Sequence, residues 1–501
     1  MTISSQDTIL IVGAGIMGAG IAQVAAQAGH PVLLFDTRPD AAIAAKGQLA
    51  RTLETLVAKG KMSEAAASGT IARIEPIPSL AAASAARVAI EAIVERLDAK
   101  RALFTDLEAS MATDTILATN TSSISVTAIA NGLRHPDRLV GMHFFNPVPL
   151  MRLVEVVSGL QTSPDVAEAV FELSRAWRKV PVHAKSTPGF IVNRIARPYY
   201  AETLALLQEQ ASTPAILDAC LRGAGFKMGP CELMDLIGHD TNFSVTQSVF
   251  EANFYDKRFV PSLVQRDLVD GGLLGRKTGR GFYAYPAPPD LVQARSGTPT
   301  PLAPKRVVVH GDSPTAHALA RLVAPVLTRF AQAPERSPQS AWTGIEVDAA
   351  RLVLTDGRPA SDLARDFGIN DLTVFDRPLN PENSVTPGAL AYANHRDAAE
   401  SWKTQAAVWL AALGFAPHRV EDTPGRVVAM LVNEAADAVQ QGVCTAEGAD
   451  VAMKLGVNYP AGPFEWLSGW DAPGVIAVIE ALDATYRGER YRVSPWLRRH
   501  A

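Results

Sequence analysis

Thr8-Ile9-Leu10-Ile11-Val12-Gly13-Ala14-Gly15-Ile16-Met17-Gly18 is the stretch that decides the fold of this chain. An apolar run of strand length passes directly into three spaced glycines. Ala19 to Ala28 is then rich in helix formers and stops at Gly29, a plausible cap. Pro31-Val32-Leu33-Leu34-Phe35 reads as a second strand, with Asp36 at its carboxyl end. Strand, glycines, helix, strand and acid together form the pattern of a dinucleotide-binding unit. Gly13 permits a tight turn, Gly15 lets a pyrophosphate approach the backbone, and Gly18 allows close helix–strand packing. The helix amino terminus faces the phosphates, so Ile16 and Met17 in the same turn are assigned to the cofactor too. Asp36 is expected to accept from the adenosine ribose hydroxyls and to repel a 2′-phosphate, favouring NAD over NADP. Arg38, two residues on, works partly against that preference.

Working outward, Val88 to Glu95 is a second buried-looking strand end, with Lys100 on the helix after it. Ile116 to Ser123 is a strand running into a hydroxyl-rich loop. Ligands of doubly wound sheets sit outside the carboxyl ends of the strands, which is where Glu95 and Ser122 fall. On pattern alone the two read equally well as a solvated acid and a helix N-cap serine. His143 ends the next apolar run, Asn146-Pro147-Val148-Pro149 breaks the chain, and Met151 to Val157 returns carrying Glu155. A return strand can set that carboxylate beside the imidazole, giving a general base with its orienting partner. Oxidising an alcohol requires loss of its hydroxyl proton, and histidine, with an ordinary pKa of about 6.5, suits this task. The glutamate fixes the tautomer and stabilises the imidazolium, and such base catalysis contributes about 10²–10⁴-fold in rate. After Thr187-Pro188-Gly189, a long helix begins with Asn193 in its first turns, where an amide can reach back to the cleft.

Composition narrows the class. A chain of 501 residues is expected to hold about three or four domains. Its net charge of −4 gathers neither nucleic acid nor an anionic membrane. Cys220, Cys231 and Cys444 cannot all pair and form no Cys-x-x-Cys, so reduced thiols in the cytoplasm are expected, and no metal site is read. No apolar run is long enough to span a bilayer, and with a fingerprint this near the first residue no secretory leader is expected.

Residues 8 to 285 resemble the 3-hydroxyacyl-CoA dehydrogenases. The likeness is carried by Gly13 to Gly18, Glu91-Ala92-Ile93-Val94-Glu95, Asn120-Thr121-Ser122-Ser123 and His143-Phe144-Phe145-Asn146-Pro147. Thr187-Pro188-Gly189-Phe190-Ile191-Val192-Asn193-Arg194, Met228-Gly229-Pro230 and Lys277-Thr278-Gly279-Arg280-Gly281-Phe282-Tyr283 complete it. The resemblance implies an α/β Rossmann domain over 1–185 followed by an all-α C-terminal domain over 186–285. It implies His143 as the base, Glu155 as its partner, and Ser122 and Asn193 as ligands to the substrate oxygen. Asp36, Glu95, Lys100 and Lys277 are implied to touch NAD, with Ser122 and Asn146 assigned alongside them. The implied reaction takes an (S)-3-hydroxyacyl thioester of coenzyme A to the 3-oxoacyl thioester. Lys59 and Lys61, in a basic run before Met62, are candidates for the coenzyme A phosphates.

The helical domain recurs. Glu421 to Met430 echoes Thr187 to Arg194, and Tyr459 to Glu465 echoes Met228 to Glu232. Ala429 stands where the first copy has Asn193, so 416–501 reads as a degenerate structural repeat that packs on the first helical domain. Between the copies, 286–304 reads as a Pro/Ser/Gly-rich linker and 305–415 as a small α/β insert. Its glycine loop has decayed to Gly311 alone, and no NAD binding is assigned to it. This layout resembles the long bacterial type of the family, nearest to members acting on 3-hydroxyadipyl-CoA in phenylacetate breakdown. Long members acting on 3-hydroxybutyryl-CoA are the alternative. A terminal carboxylate on the substrate would need a cation, and Arg152, Arg197 and Lys227 are candidates. The absence of a hydratase segment before residue 8 argues against the bifunctional enzymes. The presence of Ser122, His143 and Asn193 argues against a non-catalytic NAD-binding scaffold. A homodimer is expected.

Overall fold

The computed structural model describes residues 2–286, 300–378, 388–421 and 426–501. Most of the expected linker (287–299) and the Thr423-Pro424-Gly425 part of the repeat lie outside the described residues. The chain divides into two compact units. Unit 1 is Met1–Arg194 with Gln441–Val457, and unit 2 is Ile195–Gln440 with Asn458–Ala501.

Unit 1 is built on eight strands: β1 (Ile9–Val12), β2 (Val32–Phe35), β3 (Ile74–Pro76), β4 (Val88–Glu91), β5 (Ile116–Thr119), β6 (Leu139–Phe144), β7 (Leu153–Ser158) and β8 (Val180–Lys185). Their order is β3-β2-β1-β4-β5-β6-β7-β8, and the first six run parallel. That order is the doubly wound arrangement, whose cleft opens at the carboxyl ends of the strands. β1, β4, β5 and β6 are buried along their whole length, as strands covered on both faces must be, which explains their unbroken apolar runs. β7 turns back antiparallel to β6, and β8 runs parallel to β7. The antiparallel register sets His143 directly opposite Glu155. Directly opposed residues project from the same face of a sheet, so the twelve-residue spacing places both side chains on one side.

The glycine turn is sterically required. Gly13 adopts φ 106°, and a Cβ there would lie 2.4 Å from the Ala92 carbonyl oxygen. A Cβ at Gly18 would lie 1.8 Å from the Gly13 carbonyl oxygen, so the helix Ile16–Gln27 approaches the turn as only glycine allows. At Gly15 a Cβ would meet nothing within 4 Å, because that position faces open space.

Unit 2 contains most of both helical repeats and a second sheet. Its strands are β9 (Val307–His310), β10 (Glu335–Ser337), β11 (Gly344–Val347), β12 (Ala350–Leu354), β13 (Leu372–Phe375), β14 (Ala389–Asn394) and β15 (Ala416–Arg419). The order is β10-β9-β11-β12-β13-β14-β15, with parallel and antiparallel neighbours mixed. Gly311, at φ 90°, follows β9. The buried helix Arg426–Gln440 of the second repeat packs along Arg197–Gln208 of the first. A division in sequence order would leave 441–457 with the other repeat residues, whereas the compact units assign it to unit 1.

Candidate active site

The site is assembled on unit 1, at the carboxyl end of β6. His143 and Glu155 are both buried, and His143 Nδ1 lies 2.6 Å from Glu155 Oε2. The other carboxylate oxygen, Oε1, accepts from the backbone N–H groups of Ile191 at 3.0 Å and Val192 at 2.9 Å. With its carboxylate pinned from both sides, Glu155 dictates that His143 carries its proton on Nδ1, leaving Nε2 as the base. Phe145 and Phe190 flank the imidazole at ring-centroid distances of 4.6 and 5.8 Å, which limits its rotation. Asn193 follows Val192 directly, on the single helical turn Val192–Ile195.

Glu95 organises the neighbouring loop. Its Oε1 accepts from Thr121 Oγ1 (2.7 Å), the backbone N–H of Ser122 (2.9 Å) and that of Ser123 (3.1 Å), and Ser122 Oγ lies 3.3 Å away. Lys100 is buried behind it, 2.6 Å from Glu91 and 3.2 Å from Glu95. Burial opposes the Glu95 charge, but Lys100 and the donors on Thr121 and Ser122 outweigh it and hold the carboxyl at about 2. Glu91 is itself buried and accepts from Thr119 Oγ1 at 2.6 Å and the Ile93 N–H at 2.7 Å. Sequence reading quoted Glu91 in its motif without a role, although an acid closing the apolar run Val88-Ala89-Ile90 is a visible signal of a buried pair. Asn120, quoted for its motif without a role, accepts from the Phe144 N–H at 2.9 Å and so fixes the strand beside His143. Lys179 was missed. It is buried, and its ammonium donates to the carbonyls of Val148 and Met151, holding the loop that carries Asn146. Burial lowers Lys179 to about 8.

At the glycine turn, Asp36 Oδ2 accepts from the Ala14 N–H at 2.8 Å, and Arg38 pairs with both carboxylate oxygens, Nε at 3.0 Å and a terminal nitrogen at 2.9 Å. The hydrogen bonds from Arg38 act most strongly and, with the Ala14 N–H, hold Asp36 at about 2 against partial burial. A cleft of about 710 Å³ opens here, lined by Ala14, Gly15, Ile16, Arg38, Asn146 and Pro147 among others. The helix Ile16–Gln27 has no side-chain cap at Gly15, so its first-turn N–H groups are left for a ligand. The open space at Gly15, this uncapped helix end and the carboxylate at the second strand fit a dinucleotide. Lys59 and Lys61 are exposed just beyond the helix Ala41–Ala58 and are not among the residues lining that cleft. Lys277 belongs to unit 2, where it pairs with Asp240 at 2.5 Å. Of the acyl-end candidates, Arg152 is exposed, Lys227 is exposed with Nζ 3.5 Å from Asn458, and Arg197 is buried against Thr246 and the Tyr200 ring.

A carboxylate-held histidine beside a dinucleotide turn defines a nicotinamide-linked dehydrogenase of hydroxyl substrates. Residues 8–187 match the model of the 3-hydroxyacyl-CoA dehydrogenase NAD binding domain. The C-terminal domain of the same family matches 189–285 and again 425–501, and 352–424 match the 3-hydroxybutyryl-CoA dehydrogenase reduced Rossmann-fold domain. The chain belongs to the 3-hydroxyacyl-CoA dehydrogenase family and is an NAD-dependent oxidoreductase. It is 40% identical to 3-hydroxyadipyl-CoA dehydrogenase of Escherichia coli K12, over 99% of this chain and 97% of that one. A crystal structure of 3-hydroxybutyryl-CoA dehydrogenase from E. coli K12 superposes with a TM-score of 0.88 at 40% identity, covering 99% and 98% of the two chains. A probable 3-hydroxybutyryl-CoA dehydrogenase of Bacillus subtilis is 40% identical over 55% of this chain and 96% of its own length. The full-length relatives therefore carry different acyl groups in their names at equal identity.

Proposed function

We propose that the chain oxidises (S)-3-hydroxyadipyl-CoA to the 3-oxoacyl thioester, with His143 as general base. The single observation that carries the mechanism is the 2.6 Å contact between His143 Nδ1 and Glu155. His143 Nε2 takes the hydroxyl proton, and Glu155 stabilises the imidazolium that results. Ser122 and Asn193 position the substrate oxygen, so the proton faces Nε2. NAD, when bound, supplies the two-electron acceptor. Gly13, Gly15, Ile16, Met17 and Gly18 cradle its pyrophosphate, while Asp36 holds the adenosine ribose once Arg38 yields one carboxylate oxygen. Glu95, Ser122 and Asn146 face the nicotinamide half, and Lys100 acts by fixing Glu95. Lys277 is assigned to NAD, and Lys59 and Lys61 to the coenzyme A phosphates, on the family resemblance.

The dicarboxylyl substrate is favoured by the full-length likeness, and 3-hydroxybutyryl-CoA is the second reading because of the other full-length relative. The chain acts in the cytoplasm as a homodimer, without nucleic-acid or membrane partners. Among the described residues no helix is long and apolar enough to cross a membrane. The deciding experiment compares kcat/KM for NADH-dependent reduction of 3-oxoadipyl-CoA and acetoacetyl-CoA, followed by loss of NADH absorbance. Preference for the dicarboxylyl thioester is expected. Preference for acetoacetyl-CoA makes this a short-chain enzyme, and activity on neither overturns the reading.

A further inference from the structure

The helix Ala446–Gly456 belongs by sequence to the second helical repeat, yet it folds into unit 1 and packs on β7 and β8. Three contacts build the junction. Lys185, the last residue of β8, donates its backbone N–H to the Val443 carbonyl at 2.9 Å. Arg194 donates to the side-chain oxygen of Gln441 at 2.8 Å. At the far end, Gly456 approaches so closely that a Cβ there would lie 2.8 Å from Leu153 Cδ2 and 3.0 Å from Val192 Cγ2.

Those neighbours lead straight to the base pair. The N–H of Val192 donates to Glu155 Oε1, and Asn193 is the next residue. Leu153 lies two positions before Glu155 on β7 and therefore on the same face of the strand. Cys444 lies near enough to feel the same carboxylate: burial pushes its thiol up to about 12, and the Glu155 charge adds to the rise. Unit 2 contains the reciprocal arrangement. There the helix Pro214–Gly223 of the first repeat packs on β14, and a Cβ at Gly223 would lie 2.3 Å from the Ala389 carbonyl oxygen. Each repeat thus lends a glycine-terminated helix to the sheet that does not directly precede it in the chain.

We infer that the second helical repeat is a positioning element for the reaction: through Gln441 on Arg194 and Gly456 on Val192 it holds the turn that donates to Glu155, and hence Glu155, in place against His143. The repeat has lost the polar residue at Ala429 and brings no base of its own, but it packs on the strand that carries Glu155 and on Val192, which donates to that carboxylate. The inference rests on His143 and Glu155 being the base pair proposed above. Gly456 is the sensitive point, since a branched side chain there has to displace Val192 or Leu153. Misplacing a catalytic group by about 1 Å costs about 10²-fold in rate.

The test uses the full chain and its Gly456→Ala, Gly456→Val and Gln441→Ala variants. NADH affinity is read by fluorescence titration, and kcat and KM with 3-oxoadipyl-CoA or acetoacetyl-CoA, whichever the wild type turns over. Gly456→Val is expected to lose at least about tenfold in kcat, with NADH affinity and thioester KM within about threefold of wild type. Gly456→Ala should fall between the two. A kcat within about twofold of wild type overturns the inference, and so does a loss of kcat matched by loss of NADH affinity, which marks a purely structural contact. If Gly456→Val does not fold, Gly456→Ala and Gln441→Ala must show the same split, and unchanged kcat in both overturns it. Wild-type turnover in the same assay reports separately on the proposed reaction.

Discussion

At the scale of single residues the site separates holding charge from moving a proton. Glu155 and Glu95 each spend their oxygens on fixed donors, and each thereby immobilises a neighbour, the His143 ring in one case and the Ser122–Ser123 loop in the other. Replacing His143 with alanine removes the base but touches none of the glycine-turn contacts. Turnover is therefore expected to fall about 10²–10⁴-fold while NADH affinity, measured by fluorescence titration, stays near wild type. Unchanged turnover would reject the mechanism. Glu95 gives a pH prediction. Its folded-state pKa of about 2 lies below the ordinary 4.5, so its contribution to stability is present above about 4.5 and lost as pH falls through about 2. The stability gap between wild type and Glu95→Gln, taken from denaturant titrations, should be flat near neutrality and close progressively below about pH 4.5. A gap that persists undiminished to pH 2 would contradict the ion-pair account.

At the scale of elements, what could be read from the sequence was whatever local rules impose. The strand–glycine–helix turn was legible because Gly13 and Gly18 sit where any Cβ collides with backbone, at 2.4 and 1.8 Å. Gly18→Ala is accordingly expected to abolish NADH binding and to lower the melting temperature, whereas Gly15→Ala should spare the fold because its Cβ meets open space. Differential scanning fluorimetry with and without NADH distinguishes the two, and equal destabilisation would refute the packing argument. The His143–Glu155 pair was legible for a different reason: a chain break followed by a return strand fixes an antiparallel register within twelve residues. The partners of Lys100 and Lys179 were not legible. A lysine in a helix or at a strand entry carries no mark of whether it ends in water or, as here, on two carboxylates or two loop carbonyls. Further still from any local signal is Gln441, which meets Arg194 across 247 positions of chain.

At the scale of the whole molecule, duplication has given equivalent positions different work. Phe190 of the first repeat packs beside the His143 ring, and the residue that echoes it in the second repeat is Arg426. Arg426 is fully buried in unit 2 and pairs with Glu202 at 3.0 Å and Glu209 at 2.9 Å, on or just after the helix Arg197–Gln208. Glu202, also buried, accepts in addition from Arg490 at 2.8 Å and Tyr491 at 3.1 Å. A position that flanks the base in one copy has become, in the other, the ionic rivet joining the two repeats. Burial decides how much each carboxylate matters. Removing one partner of a buried pair strands the other charge and costs about 3–5 kcal/mol, while a pair open to solvent contributes about 0.2–1 kcal/mol. Glu202→Gln should therefore lower the stability of the full chain by about 3–5 kcal/mol in guanidinium titrations. Glu209→Gln, at a side chain one-third exposed, should cost about 1 kcal/mol or less. Neither residue is among those assigned to NAD, so NADH affinity is expected to remain at the wild-type value in both. Equal costs for the two substitutions would show that the repeats are held by apolar packing alone, with the ion network contributing nothing specific to their pairing.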